Sequence, residues 1–337
     1  VTGAGPVVGP GPSLPAVRGR AGRLVPPGGP ALWLHRLDAR LVAPAPAWRA
    51  RWVHALVAAV VGLRLATRDW TTIADRPAGL RVHANLVGWV PDLPAGGLLA
   101  LQVLGIVAAV LAVARVWPRA AFAVAWACYL VLAGLWGSSG KVLHNDVLTV
   151  TVGFVLLFAA VPARSVPGGD RDVRWGWPPR AALAVLGVVY FLTGAQKLRH
   201  SGIEWALSDN MSWILREGTS PFGPGLTHAI ADAPLLPQLL ASGALLLELT
   251  APVLLAVRWT RVPFALAVAA MHTSIWACLG LDYSAWVLTA AAVAVPAGLP
   301  MGLACRWRHR VLPGARRSHA PSGDGATASG SAGPPAP

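Results

Sequence analysis

GLLALQVLGIVAAVLAVARVWPRAAFAVAWACYLVLAGLWG, residues 97–137, is the stretch that decides the fold. Its two apolar runs, 97–115 and 120–137, are separated only by the short basic turn around Pro118 and Arg119. At about 1.5 Å rise per residue, each helix would be long enough to cross a hydrocarbon core of about 30 Å. Working outward, further apolar spans fall at 51–67, 142–162, 180–198, 235–257, 262–280 and 283–304. The fold class that follows is all-α: a polytopic transmembrane bundle of about eight helices. Whole-chain composition agrees. Of 337 residues, 55% are hydrophobic and 12% are charged, where a soluble chain carries about 25% charged, and mean hydropathy is +0.55.

The formal net charge of +14 would point to nucleic acid in a soluble protein. Here the basic residues cluster at the ends of apolar runs, where they set topology and meet anionic lipid. No nucleic-acid partner is implied. With the N-terminus inside, twenty Lys and Arg fall on the inner side and six on the outer, while Arg64 and Lys197 lie within spans. Both termini are therefore expected in the cytoplasm of a multi-pass cell-membrane protein. Three regions follow: a disordered or interfacial tail over 1–50, a transmembrane domain over 51–304, and a basic, disordered tail over 305–337. No signal peptide is visible in residues 1–30, so the first span is read as an uncleaved signal-anchor. Residues 31–50, with Trp33 and Trp48, are expected to form a short interfacial helix. Trp205, Met211, Trp213, Ile214 and Leu215, in the outer segment 199–234, are expected to form another. Cys128, Cys278 and Cys305 show neither disulfide nor metal spacing.

Ionisable groups inside spans cost ~2.5–3.5 kcal/mol on insertion scales and so mark candidate sites. These are Arg64, His144, Asn145, Asp146, Lys197, Glu248 and His272, with Tyr190 as a polar aromatic. Lys197 is one of only two lysines against 26 arginines. Burial can leave a lysine as a neutral amine, which an arginine never becomes. Lys197 is thus a candidate base or nucleophile; the alternative is a side chain snorkelling to the outer headgroups. Tyr190, Gly194 and Lys197 share one helix face, and Gly194 would admit a neighbouring helix or ligand. His144 and His272 lie towards the same outer side. Each alone is more often a satisfied structural donor than a ligand; together with Lys197 they can share an outward-facing pocket. Glu248 would protonate or pair with Arg64 or a histidine, as a structural group or a proton relay.

The segment VVYFLTGAQKLRHSG, 188–202, resembles the motif of the HTTM (horizontally transferred transmembrane) domain family, which is related to the vitamin K-dependent gamma-glutamyl carboxylases. GLRLATRDW (62–70), KVLHNDVLTVTVGF (141–154), LLLELTAPVLL (245–255) and MHTSIWACLGLDYSAWVLTA (271–290) are similar to further family motifs in the same order. The resemblance implies a bacterial inner-membrane protein that abstracts a proton from a membrane quinol of the vitamin K or menaquinol kind. Lys197 would be the catalytic base, His144 and His272 its proton handlers, and Tyr190, Gly194 and Asn145 the cofactor-binding residues. Family members that mature a secreted peptide, as in sporulation-delaying toxin systems, imply an equally compatible non-catalytic role. The segment IEWALSDNM after the lysine motif departs from the family pattern and leaves the substrate open.

Overall fold

The computed structural model describes residues 43–80, 87–138 and 144–299. The expected tails over 1–42 and 305–337, Lys141 and most of the expected interfacial helix over 31–50 lie outside them. Eleven α-helices are present among the described residues. These are α1 Ala47–Thr67, α2 Ala95–Val113, α3 Pro118–Gly137, α4 Val147–Leu157 and α5 Val173–Ser201. They continue with α6 Glu204–Leu207, α7 Asn210–Arg216, α8 Pro224–Asp232, α9 Leu236–Ala256, α10 Arg261–Leu279 and α11 Ser284–Gly298. A two-residue antiparallel ladder pairs β1, Ala45–Pro46, with β2, Arg171–Asp172. It sets the starts of α1 and α5 side by side, and the Asp172 carboxylate caps α5 by accepting from the Arg174 amide at 2.8 Å.

Six helices (α1, α2, α3, α5, α9 and α10) are long and apolar enough to cross a membrane. The expected spans 142–162 and 283–304 are shorter as observed. With 11 and 15 residues, α4 and α11 extend about 17 and 22 Å, less than the hydrocarbon thickness. Local chemistry ends them. Residues 144–146 form a turn that places Asp146 in ion pairs before α4 begins, and α4 stops ahead of Pro162. Pro296 sits in the last turn of α11. The first helix begins at Ala47 rather than 51, so Trp48 belongs to it. Gly202, with a φ of 59°, ends α5, and the helix expected from Trp205 to Leu215 is two short ones, α6 and α7, since Ser208 ends α6.

Of the two short helices, α11 occupies the middle of the bundle, while α4 packs beside it and leaves Val147 and Phe154 exposed. α11 buries Trp286, Thr289, Val293 and Ala297 against α1, α4, α5 and α10, and the Thr149 and Thr289 hydroxyls hydrogen-bond at 2.8 Å. The longer helices turn apolar surface outward, as Leu246, Val253 and Leu266 do. That is the pattern of side chains solvated by lipid.

Candidate functional site

One closely packed helix pair builds the centre of the site. On α5, a Cβ at Gly187 would lie 3.2 Å from Pro252 Cα, and one at Gly194 would lie 3.1 Å from both Glu248 Cβ and Leu249 Cγ. The absence of side chains lets α5 and α9 approach closely. Lys197, one turn beyond Gly194, therefore lies directly above Glu248. Its ammonium donates to both carboxylate oxygens at 2.6 Å and sits 4.5 Å from the centre of the Trp205 ring of α6. The lysine side chain is 24% exposed and the glutamate 6%. Sequence reasoning paired Glu248 with Arg64 or a histidine. The structure gives it Lys197, because cross-helix partners are chosen by the glycine-mediated approach.

Aromatic and imidazole groups from three more segments close around this pair. The Tyr190 hydroxyl and His272 Nε2 hydrogen-bond at 3.0 Å, with both residues buried. His272 stacks on Tyr283, ring centres 5.0 Å apart and planes 30° apart. The Tyr283 hydroxyl meets His144 Nε2 at 3.1 Å. Trp286 donates to the His144 carbonyl at 3.1 Å and packs edge-on against Tyr190 at 5.3 Å. The buried Nδ1 of His272 has no protein partner among the described residues. The result is a line of groups from exposed His144, through Tyr283 and His272, to Tyr190 beside the ion pair. Burial and the Glu248 charge hold the Tyr283 phenol above its ordinary range.

Arg64, Asn145 and Asp146 belong to an adjoining cluster. Arg64 lies 3.3 Å from Asp146 and 2.8 Å from Asp282, and it donates to the Ser284 hydroxyl at 2.8 Å. Asp146 also accepts from Arg68 at 3.0 Å and from the Tyr129 hydroxyl at 2.6 Å. Asn145 donates to the Asp282 carbonyl at 2.8 Å, tying two turns together. Burial would raise the pKa of Asp282, but the Ser284 hydroxyl and amide and Arg64 outweigh it and hold the carboxyl at about 2. The turn carrying Asp282 exists because Gly280 ends α10 at a φ of 68°, where a Cβ would meet the Thr219 carbonyl oxygen at 2.4 Å.

Lys197, His144, His272, Tyr190, Gly194 and Glu248 are thus assembled together, while Arg64, Asn145 and Asp146 sit beside them as a latch. Sequence reasoning missed Tyr283, Trp286, Trp205, Tyr129 and Asp282. A usable signal was scarcity: the chain has three tyrosines, and each phenol hydrogen-bonds an imidazole or a carboxylate. It also passed over His54, a 3% exposed histidine on α1 whose Nε2 has no partner among the described residues.

An all-α chain with six helices long and apolar enough to cross a membrane has the architecture of a multi-pass membrane protein. Neither protein-family models, curated proteins nor solved structures give a match to this chain.

Proposed function

We propose that this chain is an HTTM-type, vitamin K-dependent carboxylase-like enzyme of a bacterial inner membrane, drawing a proton from a membrane quinol with Lys197. The observation that carries the reading is the Lys197–Glu248 pair, with two phenol–imidazole hydrogen bonds, Tyr190–His272 and Tyr283–His144, packed beside it. In this reading α4 and α11 complete an eight-segment bundle with both termini in the cytoplasm. The excess of inner arginines supports that topology, and the packing of α11 against α1, α4, α5 and α10 suits a short segment inside the bundle.

Tyr190, Tyr283 and Trp286 offer aromatic surface of the kind a quinol ring packs on, and the buried Nδ1 of His272, without a protein partner among the described residues, could hydrogen-bond its hydroxyl. A bound quinol would supply an acidic hydroxyl and, once deprotonated, electrons for oxygen. The base role needs Lys197 as a neutral amine, which transfer of one proton from its ammonium to the Glu248 carboxylate would supply. The amine lone pair then accepts a proton at Nζ. In this reading His272, hydrogen-bonded to Tyr190, and His144, hydrogen-bonded to Tyr283, are the proton handlers. Tyr190 fixes the His272 ring, Gly194 keeps α9 close, and Asn145 holds the turn that bears His144.

The second reading is a non-catalytic membrane protein that matures or exports a secreted peptide, with the cluster serving only to tie helices. The bidentate closure of Lys197 on Glu248 favours it. One experiment separates the two. Two lysines allow 13C-methyl labelling with two resolvable NMR signals. Added menaquinol should shift the Lys197 signal and leave Lys141 unchanged. An unresponsive Lys197 signal removes the quinol reading and leaves the peptide one.

A further inference from the structure

At the end of the bundle remote from Lys197, arginines converge on helix C-termini. Leu299, just past the end of α11, lies about 22 Å along the helix from Ser284 in the latch. Three consecutive carbonyls there are capped by three guanidinium groups. Arg261 donates to Ala297 at 2.9 Å, Arg258 to Gly298 at 3.3 Å and to Leu299 at 2.8 Å, and Arg49 to Leu299 at 3.4 Å. Arg261 also caps the end of α9 at Leu255, 2.8 Å away. No carboxylate pairs with these three arginines among the described residues, and the charges close enough to act on Arg49 are arginines alone. Each helix C-terminus contributes roughly half a negative charge, so two of them leave about two positive charges uncompensated.

The surroundings identify the depth. Arg49 lies over the Trp48 ring at 5.4 Å, and Trp259, between Arg258 and Arg261 in sequence, is 85% exposed. Tryptophans placed this way sit at the headgroup level of a bilayer. The Arg49 Nε is buried without a partner among the described residues, and Arg258 is exposed with donors to spare.

We propose that Arg49, Arg258 and Arg261 form a binding site for the phosphate headgroup of an anionic phospholipid at the inner ends of α1, α10 and α11. Guanidinium forks match phosphate oxygens in pairs, whereas a lysine offers only a point charge. The site rests on the membrane reading of the fold and is independent of any chemistry at Lys197.

The test is native mass spectrometry of the detergent-purified full chain titrated with phosphatidylglycerol, phosphatidylcholine or inorganic phosphate. Phosphatidylglycerol should bind at least about tenfold more tightly than phosphatidylcholine, since each arginine at the surface is worth roughly a fivefold gain for an anionic headgroup. Arg258→Gln should cost about fivefold, and Arg49→Gln/Arg258→Gln more. The control Arg119→Gln removes an arginine that caps Ala159 instead and should leave binding within about twofold. Arg258 is exposed, so the single variant reports even where the double variant fails to fold. Equal binding of the two lipids, an equal loss in Arg119→Gln, or displacement of the lipid by an equal concentration of inorganic phosphate would each overturn the proposal.

Discussion

Unequal burial of Lys197 and Glu248 makes the two halves of their ion pair unequal in cost. Replacing Lys197 with Met leaves a carboxylate only 6% exposed without a partner. Losing one member of a buried pair costs about 3–5 kcal/mol because the survivor is uncompensated. Replacing Glu248 with Gln leaves the ammonium, which is 24% exposed and still lies over Trp205. A cation–π contact of about 0.5–2 kcal/mol and access to the interface reduce that cost to roughly 1–2 kcal/mol. The two single variants should therefore differ by about 2 kcal/mol, a factor of roughly 30 in the unfolding equilibrium. The double variant Lys197→Met/Glu248→Leu removes both charges and should recover most of the loss, since an apolar pair replaces an ionic one at little cost. SDS titration in mixed micelles, followed by tryptophan fluorescence, measures all four proteins on one scale. A larger loss in Glu248→Gln than in Lys197→Met, or a double variant no more stable than Lys197→Met, would refute the reasoning.

Three further outcomes follow from the packing and the latch. Asp146→Asn withdraws the charge that holds 4% exposed Arg64, and with Asp282 still in place it should cost about 2–4 kcal/mol; Asp69→Asn, on an exposed turn, should stay within about 0.5 kcal/mol in the same titration. Gly153→Ala would put a Cβ 2.4 Å from the Trp126 ring and displace its hydrogen bond to the Val150 carbonyl, costing about 2–3 kcal/mol. By contrast Gly243→Ala, with nothing within 4 Å, should gain about 0.5–1 kcal/mol, and equal melting temperatures for these two variants would contradict the packing. The depression of Asp282 from 3.8 to about 2 gives a stabilisation present above pH 4 and lost as pH falls through 2; because the side chain is 46% exposed, screening reduces it to about 1 kcal/mol. Melting curves of Asp282→Asn and wild type should therefore converge between pH 4 and pH 2.

Hydropathy made the long helices legible. The expected spans 97–115, 235–257 and 262–280 agree with α2, α9 and α10 to within two residues at each end, because lipid-solvated helices must be apolar along their whole length. The same signal overstated α4 and α11. Apolar residues there continue past the helix ends, and hydropathy is blind to a turn that exists to hold Asp146 or to a proline in a last turn. Tyr190, Gly194 and Lys197 were legible as one face because helical spacing is local. The partner of Lys197 was not, because it depends on how closely two helices 51 positions apart can approach. Gly187 and Gly194 set that distance, but nothing in their own neighbourhood names α9 as the helix they admit.

Latch and site share the same two turns. In the turn before α4, His144 faces the aromatic line while Asp146, two residues on, faces Arg64. In the turn before α11, Tyr283 meets His144 while Asp282 and Ser284 on either side meet Arg64. The Asn145 bond to the Asp282 carbonyl fixes the two turns to each other. The position of the exposed histidine and of the tyrosine stacked on His272 is therefore set by an ion-pair network that need not touch any substrate. The proposed proton-handling role uses that support, because hydrogen bonds and ring stacks near 3 and 5 Å tolerate little displacement. A cluster serving only to tie helices would need the Arg64 network and the Lys197–Glu248 pair, and would leave the His272 Nδ1, like the His54 Nε2, buried without a protein partner among the described residues.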